Sequence, residues 1–146
     1  MWLAVSVQLL ACRGGDDGPE EALATWVAAM NATRSNPDAR AQAFALLSLR
    51  AQQNLRQRAQ TAAQLSGREI KPWEMLAPGR FALRFAFDRG RLRTRLEGDR
   101  ATVTARGTHA EVAEVPMVRE EGRWRVALVL PEPQGPQQLR ESTTAR

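Results

Sequence analysis

The chain has 146 residues, of which 43% are hydrophobic and 25% charged, enough for one globular domain with a hydrophobic core. Its formal net charge of +5 favours anionic partners. Of its 21 basic residues, 20 are arginine and one, Lys71, is lysine. Cys12 is the only cysteine, which excludes a disulfide within the chain, and no apolar run reaches the roughly 18 residues of a membrane-spanning helix.

An apolar segment precedes Cys12. The four residues that end at this cysteine, L-L-A-C, resemble a bacterial lipobox, in which a small residue stands directly before the cysteine. The resemblance implies that residues 1–12 are a lipoprotein signal segment and that acyl chains on Cys12 anchor the protein in a membrane. Residues 13–18 are expected to form a flexible tether. Arg13 rather than an acidic residue follows the cysteine. By analogy with the lipoproteins of enteric bacteria, this implies that the protein is not retained in the inner membrane, so we expect the outer membrane of a bacterial envelope, with the domain facing the periplasm.

Two helices are predicted after the tether. Acidic residues beside Pro19 indicate a first helix that begins there and ends within residues 31–35. Asn36 and Pro37 repeat the start signal, so a second helix follows. The apolar spacing predicts that the inward residues are Leu23, Trp26, Val27 and Met30 in the first helix and Ala43, Phe44 and Leu47 in the second.

Ser48 either breaks the second helix or caps a third one, and Ser66-Gly67 is a stop signal for that third helix. Its buried face is predicted to consist of Ala51, Leu55, Ala59, Ala62 and Leu65. Pro72 is expected to begin a short helical turn that presents Trp73 and either Leu76 or Met75 to the core. Pro78-Gly79 is expected to end that turn.

Alternating apolar residues predict a first hairpin over residues 81–88 and 91–97. A two-residue loop at Arg89-Gly90 places Phe87 opposite Leu92 and puts all the apolar groups on one face. Gly98-Asp99 predicts the next turn, which pairs Glu97 with Arg100 and Leu96 with Ala101 and keeps the same inner face. Gly107 is a candidate for a β-bulge.

The strongest strand pattern lies in a last hairpin over residues 112–131, where Trp124, Val126 and two leucines alternate with other residues. Two registers fit. A three-residue loop, Glu120 to Gly122, pairs Val118 with Trp124, whereas a four-residue loop that begins at Arg119 pairs Met117 with Trp124. The four-residue loop gives the cleaner inner face. Residues 132–146 are rich in proline and glutamine and are expected to be disordered.

Helices followed by strands predict an α+β fold, with two to three N-terminal helices packed on a curved antiparallel sheet of four to five strands. This order, together with E-E-G-R-W-R-V at residues 120–126, resembles the nuclear transport factor 2-like, or ketosteroid isomerase-like, superfamily over residues 19–131. The resemblance implies a single cone-like domain with a pocket between sheet and helices. Candidate residues for the lining of that pocket are Trp26, Trp73, Phe85 and Trp124.

Catalysis has few candidates. Ketosteroid isomerase chemistry uses a tyrosine and a protonated aspartate as donors, but this chain has no tyrosine, and its aspartates fall in the tether, a helix start and turns. His109, the only histidine, and Glu111 are the weak candidates for a base and the group that orients it. One histidine and one acylated cysteine do not make a metal site, and no motif indicates a cofactor.

The outer face of the sheet is predicted to be basic. Its arginines are Arg84, Arg91, Arg93, Arg95 and Arg106. Because the phenylalanines point to the opposite face, the stacking platform that nucleic acid needs is lacking, and nucleic acid is not expected as a partner. The sequence therefore predicts an envelope lipoprotein with a non-catalytic domain that binds an envelope protein or an anionic envelope polymer. The alternative is a small-molecule isomerase, dehydratase or hydrolase of the same superfamily, with its site in the cone.

Overall fold

The computed structural model describes residues 17–81, 83, 85–133 and 135. The signal segment with Cys12, residues 13–16 of the tether, Arg84 and residues 136–146 of the tail lie outside the described residues. Within them, helices precede an antiparallel sheet, which confirms the α+β class. The elements are α1 (Pro19–Ala32), α2 (Asp38–Ala45), α3 (Leu49–Ser66), α4 (Pro78–Phe81), β1 (Arg93–Glu97), β2 (Arg100–Arg106), β3 (Val112–Glu120) and β4 (Arg123–Val126), with short 3₁₀ turns at Pro72–Met75 and Arg89–Arg91.

Helix α1 has the predicted start and the predicted buried stripe. Pro19 stands in its first turn, where a missing N–H costs nothing, and two glutamates follow where the helix dipole favours negative charge. All four stripe residues, Leu23, Trp26, Val27 and Met30, are buried. The helix ends where the Thr33 hydroxyl donates a hydrogen bond of 2.7 Å to the Met30 carbonyl. Burying each large side chain stabilises the fold by about 1.5–3 kcal/mol, so this stripe anchors α1 to the sheet.

A short strand-like connection separates α2 from α3. Leu47, predicted on the second helix, lies in this connection and forms a parallel bridge with Val126 of β4, with the Ser48 N–H 2.9 Å from the Val126 carbonyl. The Ser48 hydroxyl accepts a hydrogen bond of 3.3 Å from the Ala51 N–H, so Ser48 caps α3. Gly67, with φ +70°, ends this helix. One residue of the predicted α3 face is wrong, because Leu65 in the last turn is 44% exposed.

The sheet is a meander in the order β1-β2-β3-β4. The turn at Gly98-Asp99 pairs Glu97 with Arg100 and Leu96 with Ala101, as predicted. The inward positions of β2, Ala101, Val103 and Ala105, are buried, and α1 packs against β1, β2 and β4. The core therefore lies between α1 and one face of the sheet, and the other face is free to carry charge.

Both predicted registers of the last hairpin are wrong. The loop has two residues, Glu121 and Gly122, with φ +53° and +75°, so β3 pairs with β4 through Glu120–Arg123 and Met117–Val126. Positive φ at both central positions gives the type I′ geometry that matches the twist of a two-residue hairpin. Gly122 is the residue expected to adopt a left-handed conformation. The sequence does not indicate that Glu121 adopts one as well. The observed pairing is shifted by two residues from the pairing that the four-residue loop predicts. Because side chains alternate between the two faces of a strand, a shift of two residues keeps the predicted inner face.

The predicted strand over residues 81–88 is also wrong. Phe81 ends α4, which Pro78-Gly79 begins instead of ending the preceding turn, and the described residues from 83 to 88 form no strand. The side chains of Phe81, Leu83, Phe85 and Phe87 nevertheless pack, half-buried, against the core. The alternation of apolar and polar residues thus predicts which side of the segment is buried, but it does not predict whether the segment pairs with a neighbouring strand. As a result, β1 is an edge strand within the described part of the chain.

No helix among the described residues is long and apolar enough to cross a lipid bilayer.

Candidate functional site

The four aromatic residues predicted to line a pocket pack against the core. Trp26 is 1% exposed, and Trp73 is half-buried against Phe44 in an edge-to-face contact with ring centroids 6.4 Å apart. Phe85 and Trp124 are half-buried at the margin of the same core. Two surface concavities, one at each end of the sheet, are lined by other residues.

The larger concavity is a cleft of about 530 Å³ between the first half of α3, the paired ends of β2 and β3, and the segment that follows β4. That segment is held on both sides. The Ala127 N–H donates to the Pro116 carbonyl at 2.8 Å, and the Pro131 carbonyl accepts from Asn54 and Arg58 at 3.0 and 2.6 Å. The polar wall includes Arg50 and Arg100, and the apolar wall includes Leu128 and Leu130. The sequence does not indicate this cleft, because its walls come from elements far apart in the chain.

The smaller concavity is a depression of about 430 Å³ at the opposite end of the sheet, and basic residues dominate it. The strand register explains the convergence. Arg93 pairs with Thr104, so Arg106 lies two positions further along β2 on the same face, and Arg91 stands in the 3₁₀ turn that leads into β1. Arg106 in turn pairs with Val112 of β3. The lining residues are Arg91, Arg93, Arg106, Gly107, Thr108, Ala110, Glu111 and Val112.

The turn between β2 and β3 forms the floor and rim of this depression. The Gly107 N–H donates to the Glu111 carbonyl at 2.9 Å, so Gly107 opens the turn and is not a bulge, because the pairing continues regularly to Arg106. Gly107 is buried, and a Cβ on it would lie 2.9 Å from Cδ2 of Phe85 and would collide with the Glu111 carboxylate. Ala110 has φ +65°, which is unusual for a residue with a Cβ. This turn is therefore tightly constrained.

His109 and Glu111 lie in this turn, at the surface. The Glu111 carboxylate accepts a hydrogen bond of 2.8 Å from the His109 backbone N–H. The imidazole is 86% exposed, and its Nδ1 lies 2.9 Å from the Thr108 hydroxyl and 3.9 Å from the nearer Glu111 oxygen. The Glu111 carboxylate thus hydrogen-bonds to the backbone of the turn. The His109 ring projects into solvent instead of into the layer between helices and sheet.

The arginines of the outer face differ in their partners. Arg93 donates to the carbonyls of Gly90 and Leu92 at 3.1 and 2.8 Å, which fixes its guanidinium at the depression. Arg91 and Arg106 are exposed and form no ion pair or side-chain hydrogen bond with any other described residue. Arg95 forms an exposed ion pair with the Glu97 carboxylate, 3.1 Å away. Three of the predicted arginines therefore converge on the depression, and Arg84 lies outside the described residues.

Within the described part of the chain, no three histidine, cysteine or acidic side chains converge as metal ligands.

No family model, curated protein or solved structure matches this chain. The resemblance to the nuclear transport factor 2-like superfamily therefore stays a prediction.

Proposed function

We propose that the protein is an envelope lipoprotein with a non-catalytic binding domain. In this proposal, a lipid on Cys12 anchors the chain in the outer membrane, and the basic outer face of the sheet binds an anionic envelope polymer. The observation that carries the proposal is the depression at which Arg91, Arg93 and Arg106 meet. Two of these guanidiniums have no described protein partner, so their donors are free for an external anion.

The helix–sheet layer supports binding over catalysis. Large side chains fill it, as shown by Trp26, Leu23 and Met30, which are at most 1% exposed. The one histidine stands in an open turn. A general base needs a substrate held within hydrogen-bond reach, and a solvated imidazole on a turn offers little to hold one.

The anchor is tested by mass spectrometry of the full chain made in a Gram-negative bacterium. We expect cleavage before Cys12 and a mass increase that corresponds to acyl chains on this residue. A Cys12→Ser variant should keep its signal segment and lose the acyl mass. Recovery of the wild-type chain with Met1 in place and no acyl group would contradict the anchor.

The basic face is tested with two labelled polyanions, polyphosphate and poly-glutamate, by fluorescence anisotropy. We expect binding that weakens steeply between about 0.05 and 0.2 M salt, because arginines that neutralise the polyanion release the counterions condensed on it. A double variant, R91E with R106E, should bind at least about tenfold more weakly than wild type. The matched control is the double variant R34E with R50E, which lowers the net charge by the same amount, since Arg34 is exposed in the turn after α1 and Arg50 is exposed in the first turn of α3. Equal losses in the control and in the R91E/R106E variant would mean that net charge alone is responsible.

A further inference from the structure

The depression offers an unusual density of hydrogen-bond donors. Each guanidinium has N–H groups in a planar fork that matches the oxygen atoms of phosphate in a bidentate manner. Arg93 is oriented by its bonds to the Gly90 and Leu92 carbonyls, and Arg91 and Arg106 flank it without another described partner. One positioned and two uncommitted forks therefore face a single concavity.

The charge of the lining selects among phosphates. Three arginines contribute +3 and Glu111 contributes −1, so the lining carries +2. A phosphate monoester carries about −1.5 to −2 at neutral pH, which balances this charge. A phosphate diester has lost one ionisable oxygen and leaves part of the charge uncompensated. Electrostatic matching thus favours a monoester.

The rest of the lining can receive the group that carries the phosphate. The concavity measures about 430 Å³, within the roughly 300–1,000 Å³ of small-molecule sites and larger than one phosphate group. One Glu111 oxygen is committed to the His109 N–H, whereas the other lies 3.9 Å from the imidazole and is free to accept a hydrogen bond. The Thr108 hydroxyl lies on the same rim. A carboxylate and a hydroxyl beside a cationic site are suited to the hydroxyl groups of a sugar.

We propose that the depression formed by Arg91, Arg93, Arg106 and Glu111 is a binding site for the phosphate monoester of a sugar or related polyol. This inference rests on the proposed function, because it identifies the anionic group that the basic face binds. The phosphate lies against the three guanidiniums, and the hydroxyl groups of the ligand face Glu111 and Thr108.

The test is a nuclear magnetic resonance titration of the isotope-labelled full chain in a non-ionic detergent. The probes are glucose 1-phosphate, methyl phosphate and dimethyl phosphate. We expect saturable shifts of the Thr108 and Ala110 amides and of the three arginine Nε–H signals. Glucose 1-phosphate should bind at least about fivefold more tightly than dimethyl phosphate, because it has more charge to pair and more hydroxyl groups to hydrogen-bond. Methyl phosphate should lie between them.

Variants assign the effect to the depression. R91Q and R106Q should each weaken glucose 1-phosphate binding by about fivefold, a loss that allows for solvent screening of exposed charges. Arg34→Gln, the distant control, should bind like wild type. Unchanged amide spectra away from the β2–β3 turn show that each variant is folded. Vesicles that contain phosphatidic acid, compared with phosphatidylglycerol, distinguish a lipid-borne monoester from a soluble one, and a preference for phosphatidic acid supports the monoester site.

Failure of this inference and failure of the proposed function give different results. Equal affinity for glucose 1-phosphate and dimethyl phosphate, or shifts that R91Q and R106Q leave unchanged, overturns the monoester site. If poly-glutamate and polyphosphate still bind in a manner that depends on Arg91 and Arg106, the proposal that the basic face binds an anionic polymer still holds. If the wild-type chain binds neither polyanion, both the monoester site and the polyanion-binding role of the basic face are overturned.

Discussion

Trp26 occupies the centre of the core and brings a polar atom with it. The residue is 1% exposed, yet its indole N–H has no hydrogen-bond partner among the described residues. An unmet buried donor costs about 1–3 kcal/mol, a penalty that the packing of the large ring must offset. The choice of tryptophan at this position thus follows from volume and not from hydrogen bonding.

Replacing Trp26 with phenylalanine separates these two contributions. Trp26→Phe removes the unmet donor together with part of the ring, so we expect a loss of less than about 1.5 kcal/mol in the free energy of unfolding. Trp26→Ala leaves a large cavity and should lose about 3–5 kcal/mol. Urea unfolding of the two variants measures both values. If phenylalanine proves as harmful as alanine, the indole N–H has a partner after all.

At the scale of elements, Glu120 joins the end of β3 to the start of α3. Its carboxylate accepts a hydrogen bond of 2.9 Å from the Leu49 N–H, 71 residues away in sequence, and lies 3.6 Å from the Arg125 guanidinium. Arg125 in turn donates to the Ala45 carbonyl at 2.9 Å. An acidic group at the first N–H of a helix is favoured both by the free donor and by the helix dipole.

We expect Glu120→Ala to lower the free energy of unfolding by about 1–2 kcal/mol, because a helix-terminal N–H loses its acceptor and the Arg125 guanidinium loses the carboxylate 3.6 Å away. Glu114→Ala is the matched control, since Glu114 is exposed on the same strand and should change stability by less than about 0.5 kcal/mol. Thermal unfolding of both variants provides the comparison. Equal effects would show that the contact with α3 contributes nothing.

The 3₁₀ turn at Pro72–Met75 gives stability a dependence on pH. The Glu74 carboxylate accepts a hydrogen bond of 2.7 Å from the Lys71 N–H and lies 3.4 Å from the Arg68 guanidinium. The Lys71 hydrogen bond, followed by Arg68, holds the pKa of Glu74 below its ordinary value of 4.5. Because the pKa is lower in the folded state, this contribution is complete above 4.5 and is lost as the pH falls through the folded pKa.

Glu74→Gln should therefore lose stability relative to wild type at neutral pH and approach wild type at about pH 3. Urea midpoints of both chains between about pH 7 and pH 3 measure the difference. A constant difference across this range would show that the charge of Glu74 plays no part.

Much of this element-level description could be predicted from the sequence. Strong helical stripes and a start signal defined α1, and the inner face shared across Gly98-Asp99 defined the register of β1 with β2. The register of the last hairpin could not be predicted, because Glu121 adopts a left-handed conformation that residue type does not favour. The phenylalanines of residues 81–87 bury one side without joining the sheet, and periodicity does not distinguish these outcomes.

The candidate site was predictable in part. Alternation placed Arg91, Arg93 and Arg106 on the outer face, and the β1–β2 register brings Arg93 within two positions of Arg106. The concavity itself requires the turn from Gly107 to Glu111, whose shape depends on a buried glycine packed against Phe85. Such contacts between distant residues are not encoded in any local pattern.

At the scale of the whole molecule, the segment after β4 closes the structure. Ala127 extends the pairing with β3, and the Pro131 carbonyl is held by Asn54 and Arg58 of α3. Leu128 and Leu130 are half-buried between these two attachments. The segment therefore links the last strand back to the longest helix.

Ending the chain after Val126 should lower the free energy of unfolding by about 2–4 kcal/mol, because two leucines lose part of their buried area and α3 loses an attached carbonyl. Ending it after Gly135 keeps these contacts and should change stability by less than about 0.5 kcal/mol. Differential scanning calorimetry of the two shortened chains tests this. Equal unfolding temperatures would mean that the attachments are not stabilising.

The outer edge of β1, which pairs with no other strand in the described part of the chain, has a consequence for the behaviour of the protein in solution. An unpaired strand edge is a template on which another copy of the chain can add a strand and begin to aggregate. Antiparallel addition of a second β1 centred on Thr94 would place Arg93 of each copy opposite Arg95 of the other, and like charges in that position oppose pairing. A polyanion bound as proposed above would screen this repulsion, and the colloidal stability of the protein would then depend on how much of its basic face is occupied.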